Sequence, residues 1–174
     1  LESFETMLKR PILQDELEKK LQSLLELYKA DLKIVQKVFL ESLPLIESGD
    51  PNSPIYNNLP PVSGALFFTR SLERRIIEPY ERLLKLELDP TKLEEFQEVK
   101  DLKDSICKQL TEYKDTRCLR WRQDVEESSE KKLKQCLLVR KPDGTLEVNF
   151  DPSLVQLLRE VKYFSQLNIP VPET

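Results

Sequence analysis

The sequence has no histidine and only three glycines in 174 residues. Without histidine it lacks the commonest general base and the usual partner of a nucleophilic serine or cysteine. Three glycines are too few for a many-stranded sheet with tight turns or for a phosphate-cradling loop, so nucleotide-binding motifs are excluded within these residues. The 31 Asp and Glu residues leave an enzyme that uses carboxylates alone formally open. We rank that option last, because charges on helix faces usually form surface ion pairs.

Cysteine is scarce, and neither sign of charge dominates. Cys107, Cys118 and Cys136 are widely spaced and form no CxxC motif, so we interpret them as reduced thiols and predict no metal site. The net charge of −4 is spread over both signs, which argues against nucleic acid or a membrane surface as partner. No apolar run approaches the ~18 residues of a membrane span. The start, LESFETMLKR, resembles neither a signal nor a transit peptide and has no initiator Met, so we expect an internal fragment.

Charged and aliphatic residues are abundant. Charged residues make up 33% of the chain and hydrophobic residues 39%, a balance that suits long amphipathic helices. Apolar residues between Pro11 and Leu43 recur in steps of three and four, which predicts a long first helix. The members of this stripe are Leu17, Leu21, Leu24, Tyr28, Leu32, Val35 and Phe39. Five prolines between Pro44 and Gly64 should prevent any helix from crossing that stretch.

Two further long helices follow the proline-rich stretch. Ser63 offers an N-cap for the second helix, and Pro79 inside it predicts a kink about one turn earlier. Asp89 and Pro90 predict the start of the third helix. Its apolar spacing continues through Trp121 and Val125 to about Glu127.

A change of period marks a β-hairpin before the last helix. QCLLVR, KPDG and TLEVNF are typical of strand, turn and strand, with Pro142 and Gly144 at the second and last turn positions. A lone hairpin is marginally stable, so we expect it to pack on the helices. Asp151 as N-cap and Pro152 at the first helical position predict a fourth helix that ends near Asn168.

The predicted fold is therefore mainly α: an elongated bundle of long antiparallel helices with one small β-hairpin before the last helix. The predicted organisation is a first long helix in 1–43, a proline-rich connector in 44–62, two further helices in 63–134, a hairpin in 135–150, and a last helix with a proline-rich exit in 151–174.

Three stretches, taken in order, resemble the N-terminal tail of dynein heavy chains. They are NNLPPVSGALFFTRSLERRIIEPYERL, the Trp121 helix that leads into KLKQCLLVR, and NFDPSLVQLLREVKYF. The resemblance covers roughly Leu59 to Pro170, and the third stretch is more similar to axonemal than to cytoplasmic heavy chains. The sequence departs from the family at Phe67-Phe68-Thr69, where a Trp often occurs.

The resemblance implies a non-catalytic stem segment of an axonemal heavy chain, made of helical bundles, in a microtubule motor that drives ciliary or flagellar motility. It would be a force-transmitting scaffold and an assembly platform. Its implied partners are dynein intermediate, light-intermediate and light chains, other heavy chains, and axonemal docking factors or the doublet microtubule. The implied location is the cytoplasm and cytoskeleton, in the axoneme of a cilium or flagellum. ATP and Mg would belong to the motor domain of the parent, so no cofactor is expected here. The alternatives are a cytoplasmic or intraflagellar dynein tail, or an unrelated helical adaptor or tether.

No catalytic, cofactor-binding or metal residue is predicted. The candidate structural or interface residues are Pro60, Pro61, Gly64, Arg74, Arg75, Trp121, Asn149, Phe150, Asp151, Pro152, Glu160 and Tyr163. For the turn from Asn149 to Pro152 we favour a structural joint over a partner-binding loop or an active-site turn. For Trp121 we favour core packing over an interface anchor, and for Arg70, Arg74 and Arg75 a solvated helix face over a basic edge.

Overall fold

The computed structural model describes residues 11–55, 58–86, 94–133, 136–149 and 151–171. The elements, in chain order, are α1 (Pro11–Ser48), α2 (Pro61–Leu84), α3 (Glu94–Leu133), β1 (Leu138–Arg140), β2 (Leu146–Val148) and α4 (Pro152–Gln166). The predicted class, mainly α with one small hairpin before the last helix, is confirmed. The predicted helix start at Asp89 and Pro90 lies outside the described residues.

The chain forms two compact units. The first comprises residues 1–43 and 71–110, and the second comprises residues 44–70 and 111–174. The three longest helices each contribute residues to both units. None of the helices in the described ranges is long and apolar enough to cross a bilayer.

The core of the first unit follows the helical spacing of the sequence. Its buried apolar side chains include Leu21, Leu25, Leu32, Val35, Phe39, Ile76, Val99, Ile106 and Leu110. The Tyr28 hydroxyl donates to the Ile76 carbonyl oxygen across 2.7 Å. Leu24 is an exception to the predicted stripe, because it is 46% exposed.

The predicted end of the first helix at Leu43 is wrong, because α1 continues through Pro44 to Ser48. A proline inside a helix lacks one N–H donor, which weakens the helix without necessarily ending it. Gly49 ends α1 instead: its φ is 68°, its N–H donates to Ile46 O, and the next N–H, of Asp50, donates to Leu45 O. These two bonds form a Schellman motif, which needs the left-handed backbone that glycine adopts readily.

The next two helices also differ from their predicted bounds. Pro79 lies inside α2 as expected, whereas the kink attributed to it stays a prediction. α2 begins at Pro61 rather than after Ser63, so the predicted N-cap is wrong. α3 ends at Leu133, past the expected limit near Glu127, because polar residues continue the helix beyond its apolar face.

The hairpin has the predicted strands and turn. β1 and β2 are antiparallel, with Leu138 opposite Val148 and Arg140 opposite Leu146. Gly144, with a φ of 84°, donates its N–H to Lys141 O and closes the turn. The expected packing of the hairpin on the helices is wrong for the described strand residues, since all of them are exposed.

The last helix has the predicted start and end. Asp151 caps α4 by accepting the Ser153 N–H across 2.9 Å, and Pro152 occupies the first turn. At the other end, Asn168 has a φ of 56°, and the Ile169 N–H donates to Phe164 O. This second Schellman motif reverses the chain immediately after α4.

Candidate functional site

Glu160 is the most deeply buried charged side chain in the part of the chain that the structure describes, with 2% exposure. It lies on α4, three residues after Leu157 and four before Phe164, so it occupies the inward face of an amphipathic helix. A buried carboxylate is costly unless it is bound by donors or cations. Its partners therefore decide what this position does.

The Glu160 carboxylate binds the N-terminus of α2. Its Oε1 accepts the Val62 N–H across 2.9 Å, and its Oε2 accepts the Ser63 N–H across 2.8 Å. The Ser63 hydroxyl also donates to Oε2. The carboxylate thus neutralises the partial positive charge at the start of α2 and receives charge-assisted hydrogen bonds, which are stronger than neutral ones.

These bonds complete the first turn of α2. The first N–H groups of a helix have no partner within the helix. Pro61 has no N–H, and the Gly64 N–H donates to Pro60 O across 2.7 Å. Glu160 accepts the two N–H groups between them, so a side chain of another helix takes the capping role predicted for Ser63. Pro60 is buried and Pro61 is exposed.

Gly64 allows the preceding segment to lie against this turn. A Cβ added at Gly64 would come within 2.3 Å of Ile55 Cγ2 and 3.3 Å of Leu59 Cβ. Any larger residue would therefore push away the chain that leads into Pro60. The role of Gly64 is close packing rather than an unusual backbone angle.

A hydrophobic cluster lies next to the Glu160 carboxylate. It is formed by Leu66, Trp121, Val125, Phe164 and Leu167. The Trp121 and Phe164 rings meet edge to face, with centroids 4.4 Å apart. Trp121 is 7% exposed, so it is a core residue. A role of Trp121 as an interface anchor remains a prediction, and its burial does not support that role.

Arginine side chains bind backbone carbonyls around this cluster, and the sequence analysis did not identify Arg122 or Arg159 among them. Arg159, next to Glu160, donates to Asn58 O across 2.7 Å. Arg70 donates to Leu167 O, and Arg122 donates to Pro170 O. Arg159 therefore holds the segment that leads into α2, and the neighbouring Glu160 holds the first turn of α2. Only the position of Glu160 within an apolar face could have signalled this site.

Asn149 of the NFDP turn pairs with the other strand of the hairpin. The Asn149 N–H donates to Leu137 O, and its side-chain amide donates to Cys136 O, so Asn149 extends the hairpin pairing. Phe150 lies outside the described residues. Tyr163 packs edge to face against Phe67, with centroids 6.3 Å apart. A partner-binding role for this turn remains a prediction.

Two of the three arginines of the proposed basic edge, Arg74 and Arg75, lie in the first unit and form ion pairs. Arg74 pairs with Glu78 one turn later, and Arg75 pairs with Asp31 of α1. These hydrogen bonds raise the pKa of both guanidinium groups. The Arg74 bond likewise lowers the pKa of Glu78. An interface role for either arginine remains a prediction.

The hydrogen bonds of Glu160 hold α4 against the first turn of α2. Burial raises the pKa of the Cys118 thiol, which lowers its thiolate content. Within the described ranges, no group of three or more Cys, Asp or Glu side chains is placed to bind a metal ion. The Glu160 carboxylate accepts hydrogen bonds from the backbone of α2, so its chemistry is that of a helix cap.

The whole chain, residues 1–174, matches the family described as dynein heavy chain, N-terminal region 1. It is 37% identical over 171 residues to a dynein beta chain of the flagellar outer arm from Chlamydomonas reinhardtii, an alignment that covers 94% of this chain. It is 32% identical over 172 residues to the gamma chain of the same arm, with 97% of this chain covered. A ciliary dynein beta chain from Tripneustes gratilla is 31% identical over 170 residues, again across 94% of this chain. The chain spans about 4% of the length of each of these relatives.

Proposed function

Since this chain belongs to the dynein heavy-chain family, as part of N-terminal region 1, we propose that it is a non-catalytic stem segment of an axonemal heavy chain. In this role its helices form a scaffold that transmits force and a platform on which other subunits assemble. The parent protein would be an ATP-driven microtubule motor, with ATP and Mg bound in a motor domain outside these residues.

The observation that carries this proposal is the use of Glu160. A carboxylate buried to 2% exposure is the kind of group that an active site exploits. Here it accepts both free N–H groups in the first turn of α2 and the Ser63 hydroxyl. These hydrogen bonds hold α4 against α2, as a scaffold requires. The absence of histidine from the sequence also argues against the commonest acid and base chemistry.

The names of the relatives support an axonemal setting. Those relatives are described as flagellar outer-arm, ciliary or axonemal heavy chains. By analogy, we place this chain in the axoneme of a cilium or flagellum. The proposed partners are intermediate, light-intermediate and light chains, other heavy chains, and docking factors on the doublet microtubule.

A deletion in the full-length heavy chain tests this proposal. Heavy chains with and without these 174 residues would be purified with their associated subunits, and ATP hydrolysis and subunit content would be measured. We expect the deletion to retain ATP hydrolysis per motor and to lose one or more associated chains. An exposed substitution on α2, Glu81→Gln, is the matched control and should change neither. Loss of ATP hydrolysis with unchanged subunit content would contradict the proposal.

A further inference from the structure

A cavity lies in the second unit, between α3 and the first half of α4, with the start of α2 beside it. Its volume is about 280 Å³. That is well above the space that one ordered water needs and just below the ~300 Å³ at which small-molecule pockets begin. The cavity therefore has the size for a single large side chain rather than a whole cofactor. We call it the α3/α4 cavity.

The polar side chains that line the α3/α4 cavity are rich in hydrogen-bond acceptors. Asp124 and Glu160 contribute carboxylates, whereas Gln156 contributes an amide carbonyl and Ser153 a hydroxyl. Asp124 and Gln156 are exposed and Glu160 is buried, so acceptors lie on both the outer and the inner side of the cavity. None of the described residues that line the cavity carries a positive charge. The lining therefore favours a cationic ligand over an anionic one.

Ser153 provides an observation that is independent of the charges. Its backbone N–H donates to Asp151 Oδ1, whereas its Oγ is buried and has no hydrogen-bond partner among the described residues. Buried hydroxyl groups are hydrogen-bonded in the large majority of cases, so an orphaned one points to a ligand or water as its partner. Serine exchanges between staggered rotamers, which makes the Ser153 hydroxyl available to a group in the cavity that this residue lines.

The Glu160 carboxylate has room for one more donor. Within the described residues its Oε1 accepts one hydrogen bond, from the Val62 N–H, and its Oε2 accepts two, both from Ser63. An ionised carboxylate accepts about four hydrogen bonds. A cationic donor is the strongest partner for the remaining position, because it also offsets the cost of burying the negative charge.

An arginine side chain suits this lining better than a lysine side chain. Its planar guanidinium group has five N–H donors in a fixed fork and is more weakly hydrated than an ammonium group. Trp121, Val125 and Leu157 form an apolar part of the lining. A guanidinium group packs favourably on an indole ring, and its weak hydration reduces the cost of entering a partly apolar cavity.

We propose that the α3/α4 cavity binds the guanidinium group of an arginine side chain. In the bound state this group donates to Asp124 on the outer side and to Glu160 on the inner side, and the Ser153 hydroxyl is a further acceptor. The inference is independent of the proposed stem role, because it concerns a ligand site within the second unit.

The arginine is supplied from outside the described residues. The two arginines nearest in sequence to the lining bind backbone carbonyls instead: Arg122 binds Pro170 O and Arg159 binds Asn58 O. None of the described arginines lines the cavity. The same guanidinium chemistry is found in free arginine and in an arginine of a bound peptide. The size of the cavity favours a single side chain, and hence the peptide.

Amide hydrogen exchange in the full-length heavy chain tests the inference. The probes are the blocked peptide acetyl-Gly-Arg-Gly-amide, its lysine counterpart acetyl-Gly-Lys-Gly-amide, and free L-arginine. Exchange in residues 153–160 would be followed by mass spectrometry over a range of probe concentrations, which gives a Kd for each probe. Asp124→Asn removes the charge on the outer side of the cavity, and Ser153→Ala removes the hydroxyl. Asp115→Asn is the matched control, because Asp115 is exposed and lies about 2.5 turns from Asp124, on the opposite side of α3.

We expect the arginine peptide to slow exchange of these amides, by about 11-fold at ten times its Kd. The Kd should be about tenfold higher for the lysine peptide, and about tenfold higher for the arginine peptide in Asp124→Asn. Ser153→Ala should raise the Kd several-fold, and Asp115→Asn should leave it unchanged.

Three results would each overturn the inference: no slowing by the arginine peptide, equal Kd values for the arginine and lysine peptides, or an unchanged Kd in Asp124→Asn. Tighter binding of free L-arginine than of the arginine peptide would support the guanidinium site and overturn its assignment to a peptide. These measurements do not involve subunit assembly, so their failure would leave the proposed stem role untouched.

Discussion

Replacing Glu160 with Gln should destabilise the second unit by about 2 kcal/mol. The substitution keeps the size of the side chain and removes its charge. The Gln carbonyl oxygen can retain the bond to one of the two N–H groups, of Val62 or Ser63, now 2.9 and 2.8 Å from the carboxylate. The Gln NH₂ group would face the other donor. Hydrogen bonds to a charged group contribute about 1.5–3 kcal/mol each, and relief from burying a charge offsets part of the loss.

Urea unfolding and amide hydrogen exchange measure this effect. Trp121 is the only tryptophan and packs in the cluster next to Glu160, so its fluorescence reports on the second unit. At a typical denaturant dependence of about 2 kcal/mol per M, the unfolding midpoint should fall by roughly 1 M. Exchange at Val62 and Ser63 should accelerate by up to about 30-fold. Glu81→Gln should leave both readings unchanged, and equal behaviour of the two variants would refute the capping role of Glu160.

Three further changes follow from contacts in the structure. Tyr28→Phe removes the hydrogen bond to Ile76 O and should cost about 1 kcal/mol at neutral pH. Burial raises the pKa of the Tyr28 hydroxyl, so the unfolded chain loses this proton at a lower pH than the folded chain. The free energy of unfolding of the wild type should therefore fall as pH rises above about 10. Urea unfolding of the Tyr28→Phe variant should show a smaller fall over the same pH range. Gly64→Ala should cost about 1–3 kcal/mol by thermal unfolding, and Ile55→Ala should partly restore stability in the double variant. Asp151→Ala should cost about 1 kcal/mol by urea unfolding, and loss of partner binding without loss of stability would contradict its role as a helix cap.

Features that depend on neighbouring residues were predictable from the sequence. The apolar spacing of α1 anticipated burial of Leu21, Leu32 and Val35. Asp151 and Pro152 anticipated the start of α4, because capping needs only residues within one turn. The KPDG turn likewise anticipated the hairpin, since a tight turn depends only on adjacent residues.

Features that depend on distant residues were not predictable. Glu160 and Ser63 are 97 positions apart, and no local pattern connects a buried carboxylate to the start of a particular helix. The helix through Pro44 was missed because the cost of a proline was taken as prohibitive, whereas the end motif at Gly49 determines where α1 stops. The exposure of the hairpin strands was missed because their packing on the helices was expected from the marginal stability of a lone hairpin.

The non-catalytic scaffold role is tested most directly by crosslinking mass spectrometry on the intact dynein arm purified from cilia. The scaffold role predicts links from exposed lysines of this segment, such as Lys33, to associated chains or to other parts of a heavy chain. An arm in which the segment links to no other polypeptide and to no part of the heavy chain outside these 174 residues would contradict it.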